Sequence, residues 1–215
     1  VAKVSFKTLV LITRPLPPED RLKIFFAAST GLRQGEMVAL KVYREKGPLD
    51  GGIDFDNRRI YVRTAMKKGR CHGERYIGAP KSVAGFREVP IDADLADALK
   101  CYWEALPKRR KGEGWLFPSE DGTALDGTNL QTRVLYRACE AAGLPRDEWP
   151  TWHDLRHAFA TGYLNKRGND FKRVMDLMGH TDMRTTLIYT HVTEDTVRDE
   201  ADREAIAEAM PFDLT

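Results

Sequence analysis

One stretch of the chain, residues 151–192, combines side chains that could bind an anionic group and attack it. His153 and Arg156 stand three residues apart, His180 follows a glycine, and Tyr189 lies nine residues further on. An arginine stays charged at any relevant pH and can hold anionic oxygens through paired hydrogen bonds, and a tyrosine hydroxyl can act as a nucleophile. These residue types favour nucleophilic chemistry at a centre that is stabilised by positive charge.

Helix signals predict how this stretch positions its side chains. Thr151 is a suitable N-cap, and Asp154 three residues later can complete a capping box, so the first histidine and arginine open a helix on one face. Asp170 can cap a second helix that ends at Gly179. A short third helix from about residue 182 would bring Tyr189 back over the first helix.

A metal site is the alternative interpretation of the same histidines. His153 and His157 are four residues apart and could be zinc ligands, but Asp154 stands where the HExxH motif has glutamate, and no third ligand is evident. We therefore expect no metal and no other cofactor. His157 is interpreted as a packing residue, and His191 receives no role.

Three segments of the stretch, HDLRH, LMGH and TTLIYTHV, resemble the C-terminal catalytic boxes of the tyrosine recombinases, the phage-integrase-like site-specific recombinases. That family also has an arginine in a T-G-x-R-x-x-E box and a lysine on a β-hairpin. Here TGLRQGE at residues 30–36 supplies Arg33, which Glu36 could brace, and APKSVAGFREVPI at residues 79–91 supplies Lys81. Lys67 or Lys68 could be mistaken for the active lysine, but the segment around Lys81 resembles the family's hairpin best.

The resemblance implies a reaction and a role for each residue. In that reaction two arginines hold the non-bridging oxygens of a DNA phosphodiester, two histidines hydrogen-bond the phosphate, and a lysine protonates the departing 5′-oxygen. A tyrosine forms a covalent bond to the 3′-phosphate, and a 5′-hydroxyl of another strand then rejoins the DNA without ATP. The catalytic residues implied are Arg33, Lys81, His153, Arg156, His180 and the nucleophile Tyr189.

The expected function is therefore site-specific DNA recombination, as in DNA integration and excision. The resemblance implies a double-stranded recombination site as substrate, a monomer that assembles into a homotetramer on DNA, and accessory factors that set direction. A type IB topoisomerase, which shares the chemistry, is the nearest alternative. A DNA-binding module that has lost catalysis and a metal hydrolase are more distant ones.

The charge distribution fits a nucleic-acid partner better than the net charge of +2 does. Residues 58–87 contain nine Lys or Arg and one acid, whereas residues 194–208 contain seven acids and two arginines. A second basic run, residues 108–111, is either a phosphate contact or a solvated loop. Three scattered cysteines argue against a disulfide framework and favour a reducing cytoplasm, and no apolar run predicts a membrane span or a signal peptide.

The expected fold is α+β and mainly α-helical, with a small three-stranded antiparallel sheet, as in the tyrosine recombinase catalytic domain. Residues 1–18, rich in proline towards their end, are predicted to be a linker or N-terminal arm. Residues 19–193 would form the catalytic domain, and residues 194–215 an acidic helix or tail that either docks on a neighbouring protomer or packs on its own domain. Periodicity predicts helices at 18–29, which Gly31 would end, and at 32–40, 94–106 and 129–142. Strands are predicted at 53–55, 59–64, 76–77 and 86–91, all assigned to the one small sheet.

Overall fold

A computed structural model describes residues 4–42, 51–71, 73–166 and 170–180 of the chain. Helices dominate, as expected for the predicted class, and two small antiparallel sheets complete the fold. The α-helices are α1 (Phe6–Thr13), α2 (Pro18–Thr30), α3 (Gln34–Val38), α4 (Ala93–Ala105), α5 (Gly127–Asn129), α6 (Tyr136–Ala141), α7 (Trp152–Lys166) and α8 (Phe171–Met178). A π-helical turn, Leu130–Leu135, joins α5 to α6, and short 3-10 turns lie at Val83–Gly85 and Arg146–Glu148. No helix in the described ranges is long and apolar enough to cross a bilayer.

The strands are β1 (Gly52–Asp54), β2 (Arg59–Val62), β3 (Ala65–Lys68), β4 (Arg75–Gly78) and β5 (Arg87–Pro90). They form a three-stranded sheet in the order β1-β2-β5 and a separate two-stranded sheet of β3 and β4, all antiparallel. The three-stranded sheet was predicted. The assignment of residues 76–77 to that sheet was wrong, because β4 pairs with β3 across a turn of its own.

Helix α1 lies within residues 1–18, for which the sequence predicts a linker or N-terminal arm. The Ser5 hydroxyl accepts a hydrogen bond from the Thr8 amide and caps the helix, while Leu9, Ile12 and Leu16 are buried in the main core. These apolar residues recur at the three- to four-residue spacing of a helix face, so the segment buries surface that a solvated linker would expose. The division of the chain into arm, domain and tail stays a prediction.

Helix α2 ends where the sequence predicts. Gly31 adopts a left-handed conformation, with φ of 61°, and its amide donates to the carbonyl of Ala27. The ring of Phe159 from α7 lies against Gly31, so a side chain there would collide with it. A glycine therefore ends α2 and also lets α7 approach the first residues of the candidate site.

Arg110 corrects the interpretation of the basic run at residues 108–111. It is buried, and its guanidinium donates to both carboxylate oxygens of Glu19 at 2.8 and 3.0 Å. Burial would raise the pKa of Glu19, but hydrogen bonds and charge from Arg110 and Lys23 lower it to about 2. Neither a phosphate contact nor a solvated loop describes this arginine, which joins the start of α2 to the loop after α4.

The burial of α1 predicts how two adjacent substitutions should differ. Ile12 is fully buried and Leu11 is 50% exposed, so Ile12→Ala should lower the free energy of unfolding by roughly 2–5 kcal/mol. Leu11→Ala, the matched control, should change it by less than about 0.5 kcal/mol. Urea unfolding followed by circular dichroism measures both. Equal and small effects would mean that α1 does not pack on the core.

Candidate active site

The first turn of α7 is fixed by the capping box that the sequence predicts. The Thr151 amide and hydroxyl both donate to the Asp154 carboxylate at 2.7 Å, and the Asp154 amide donates to the Thr151 hydroxyl at 3.3 Å. His153 and Arg156 follow on this turn, with His153 exposed and Arg156 only 1% exposed. The cap therefore sets the direction in which α7 presents both residues.

Arg156 is held by the ends of two other helices. Its Nη1 donates to the carbonyl of Gly31, just after α2, and its Nη2 donates to the carbonyl of Met178, the last residue of α8. Carbonyls at helix C-termini lack partners within the helix and carry partial negative charge. They stabilise a buried guanidinium through hydrogen bonds and partial charge, without a formal negative charge of their own.

Arg33 precedes α3 and is held by Glu36 from the first turn of that helix. The Glu36 carboxylate accepts from the Arg33 amide at 2.8 Å and from Arg33 Nη1 at 2.9 Å, which confirms the predicted brace. Arg33 Nη2 donates to the carbonyl of Gly179 at 2.9 Å. The side chain remains 41% exposed, so part of the guanidinium can still reach a ligand.

Gly179 and His180 follow α8 in the turn that the sequence predicts. Asp170 caps the helix by accepting from the Arg173 amide, and Gly179 is left-handed with φ of 64°. The Gly179 amide donates to Asp176 and the His180 amide donates to Met175, which fixes the backbone of the turn. The carbonyls of Met178 and Gly179 thus bind the two arginines, and His180 comes next in the chain.

Arg87 on β5 was not identified as a site residue from the sequence. It is buried, and it donates to both carboxylate oxygens of Glu36, at 3.0 and 2.8 Å, and to the carbonyl of Leu177 at 2.6 Å. The alternation of residues along β5 could have revealed it, because Arg87 lies two residues before the apolar Val89 and therefore shares the buried face of the strand. A charged residue on the buried face of a strand implies a buried partner.

A cleft of about 350 Å³ lies over these side chains. Arg33, His153 and Arg156 line it together with four polar or aromatic neighbours and Leu32. Gln131, one of these neighbours, accepts from the Trp152 amide at 2.7 Å and so ties the π-helical turn to the start of α7. The further lining residues, which sequence reasoning did not identify, are Gln34, Gln131, Thr151 and Trp152.

The structure thus brings together three of the predicted residues, Arg33, His153 and Arg156, around one cleft, with His180 beside the two arginines. Lys81 lies on an exposed loop before β5, as predicted, but this loop joins β4 of one sheet to β5 of the other and is not a hairpin turn; Lys81 does not line the cleft. Tyr189, the predicted nucleophile, lies outside the described residues, as does the tail at 194–215.

Burial and the nearby arginines both favour the neutral form of the histidines. Partial burial lowers the pKa of His180 to about 4, with further lowering by the charges of Arg156, Arg33 and Arg87. Partial burial and Arg156 also lower the pKa of His153. Both imidazoles are therefore neutral at pH 7, so each can donate one hydrogen bond and accept another.

The rings of His153 and His157 meet edge to face, with centroids 4.4 Å apart. Within the described ranges, no group of three or more His, Cys, Asp or Glu side chains is placed to hold a metal ion. What the cleft offers instead is two guanidinium groups and a neutral imidazole at one surface, an arrangement suited to binding an oxyanion.

The fold is that of solved integrase and recombinase structures. The integrase of transposon Tn1549, in a complex with transposon right end DNA, superposes with a TM-score of 0.66 at 22% identity, covering 96% of this chain and 65% of that one. The crystal structure of XerA recombinase superposes with a TM-score of 0.62 at 23% identity, covering 94% of this chain and 60% of that one.

Curated relatives agree with this fold. Tyrosine recombinase XerC of Oceanobacillus iheyensis is 31% identical over 188 residues, 87% of this chain and 54% of its own length. Tyrosine recombinase XerA of Thermococcus kodakarensis is 29% identical over 98% of this chain and 64% of its own length. Residues 6–196 match the phage integrase family, and the chain belongs to that family. It spans about half the length of several of the relatives.

The charge around His180 makes its titration a test of the site. We expect the His180 ring to titrate near pH 4, because burial and the arginines disfavour its protonated form. NMR titration of the imidazole carbon signals measures this, with His180→Asn used to assign the resonance. Because the folded-state pKa lies below the ordinary value of 6.5, this group favours folding above pH 6.5 and progressively less as the pH falls towards 4. A midpoint near the ordinary value would contradict the burial of this ring beside the arginines.

Proposed function

We propose that this chain is the catalytic part of a site-specific DNA recombinase that cuts and rejoins DNA through a 3′-phosphotyrosine intermediate. The observation that carries the proposal is the placement of Arg33 and Arg156 beside one cleft, each held by carbonyls at the end of α8. A phosphodiester is anionic, and attack adds charge to its non-bridging oxygens. Two fixed cations stabilise that added charge more than the ground state.

Each predicted site residue keeps its role in this proposal. Arg33 and Arg156 bind the non-bridging oxygens, and the neutral imidazoles of His153 and His180 hydrogen-bond the same phosphate. His153 could also accept the proton of the attacking tyrosine. Lys81, on its exposed loop, would protonate the departing 5′-oxygen, and Tyr189 would be the nucleophile.

The comparisons support the partner as well as the chemistry. The Tn1549 integrase with a related fold was solved in a complex with DNA, and the curated relatives are named tyrosine recombinases. We infer that a double-stranded recombination site in the cytoplasm is the substrate, that the protein assembles as a homotetramer on it, and that accessory factors set direction. The hairpin of β3 and β4 carries part of the basic stretch at residues 58–87, which would add salt-sensitive phosphate contacts.

A covalent adduct tests the nucleophile directly. The full-length protein, incubated with a nicked suicide substrate that carries its recombination site, should form a protein–DNA adduct visible on a denaturing gel. The adduct should form in EDTA, since two arginines supply the positive charge, and should be absent in Tyr189→Phe, which lacks the attacking oxygen. Digestion of the adduct should show linkage to the 3′-phosphate.

Other results would favour the alternatives. An adduct that survives Tyr189→Phe would assign the nucleophile to another residue. Tight site-specific binding without any adduct would indicate a DNA-binding module. Relaxation of supercoiled DNA by the monomer without a specific site would indicate a type IB topoisomerase activity.

A further inference from the structure

We propose that Arg87 is a positioning residue for strand cleavage: its guanidinium fork fixes Glu36, and through it Arg33, against the turn that carries His180. This inference rests on the proposed function, because it assigns Arg87 a part in the same reaction. Arg87 is buried and does not line the cleft, so it acts through the residues that it holds.

The contacts of Arg87 join three separate elements. Its Nη1 and Nη2 bind the two oxygens of Glu36 from α3, and its Nε binds the carbonyl of Leu177 in the last turn of α8. Its Nη1 also donates to the carbonyl of Gly85, at 3.2 Å, in the loop that follows Lys81. A single planar group thus sets the distances among α3, the end of α8 and the loop before β5.

Glu36 transmits this constraint to Arg33. The carboxylate that Arg87 holds at both oxygens is the one that accepts from the Arg33 amide and from Arg33 Nη1. Because both oxygens are fixed by the fork, the carboxylate cannot rotate, and the remaining lone pairs point in set directions. The direction of the Arg33 side chain therefore depends on Arg87.

Arg87 also packs against the turn at Gly179, so it constrains the position of this turn as well as that of Arg33. A side chain built at Gly179 would approach the Ala84 carbonyl to 2.7 Å and Arg87 Nη1 to 3.2 Å, so this turn packs directly on Arg87 and its loop. Arg33 Nη2 reaches the carbonyl of Gly179 as well. The contacts thus close a ring next to His180, which runs from Arg87 to Glu36, Arg33, Gly179 and back to Arg87.

Lysine in place of arginine separates charge from geometry. Arg87→Lys keeps the positive charge beside Glu36, but an ammonium cannot bind both carboxylate oxygens and the Leu177 carbonyl in one plane. With saturating DNA, the single-turnover cleavage rate of the full-length Arg87→Lys protein should fall on the order of 10²-fold, because small misplacements of catalytic groups cost about that much. The Kd for DNA should stay unchanged.

Arg110→Lys is the matched control. Arg110 is also a buried arginine that binds both oxygens of a glutamate, Glu19, but it lies away from the cleft. Its replacement should lower the thermal midpoint as much as Arg87→Lys does and leave the cleavage rate unchanged. The double variant Glu36→Gln with Arg87→Met removes the buried charges together, so it should remain folded and still cleave slowly.

A second readout does not depend on cleavage. If Arg33 moves away in Arg87→Lys, His180 loses the effect of one nearby positive charge, while Arg156 and His153 stay in place. The pKa of His180 should then rise from about 4 towards its ordinary value. Arg110→Lys should leave this pKa unchanged. A wild-type protein that forms no adduct would contradict the proposed function. The NMR titration of His180 in the two variants would still test whether Arg87 positions Arg33.

Two results would overturn the role of Arg87. One is an Arg87→Lys protein that cleaves at the wild-type rate and keeps the low pKa of His180. The other is a loss of cleavage that parallels the loss of folded protein or of DNA binding in both arginine variants, which would assign Arg87 to stability alone.

Discussion

The site depends on the burial of one carboxylate, that of Glu36. Only 3% of this residue is exposed, and burial alone would raise its pKa and favour the neutral acid. Hydrogen bonds and charge from Arg87 and Arg33 reverse that effect and hold the pKa below the ordinary value. Removing one partner of a buried ion pair costs about 3–5 kcal/mol, because the other charge is left buried and unpaired. The charged form of Glu36 is therefore stable in the folded protein only while its arginine partners are in place.

The two arginines that pair with Glu36 are not equivalent. Arg87 is 5% exposed at its side chain and Arg33 is 41% exposed, yet they share one carboxylate. Two positive charges against one negative charge leave one positive charge in excess. Because Arg87 is enclosed, this excess is expressed at Arg33, on the surface of the cleft. Because Glu36 and Arg87 are buried, Arg33 is the cation that faces a ligand, and its direction is already set.

Local signals in the sequence predicted the parts of the site that local contacts build. The caps at Thr151 and Asp170, the left-handed glycines that end α2 and α8, and the Arg33–Glu36 pair involve residues three or four apart, or a single backbone conformation. The resemblance to the recombinases then selected the residues that carry chemistry. The structure agrees with these predictions because their physical causes lie within one turn of chain.

Long-range contacts explain what the sequence could not predict. Arg87 meets Glu36 across 51 residues, and Arg156 meets the Gly31 carbonyl across 125, so neither partner is visible in a local pattern. The same holds for Arg110, whose basic neighbours indicate exposure while its distant partner Glu19 explains its burial. Strand β4 was assigned to the wrong sheet because alternation predicts a strand but not its neighbour.

The use of helix ends as ligands for arginine has a consequence for the cleft. Carboxylates would neutralise a bound guanidinium, whereas the carbonyls of Gly31, Met178 and Gly179 bind it without a formal charge. These carbonyls therefore help to fix Arg156 and Arg33 without adding negative charge of their own, although Arg33 also pairs with Glu36, the carboxylate that it shares with Arg87. Partial burial, together with the positive charge of the arginines, lowers the pKa of His180 and keeps the imidazole neutral beside the cations. A neutral imidazole adds a hydrogen bond to an oxyanion without adding to the repulsion among the positive groups that must stay packed together before a ligand arrives.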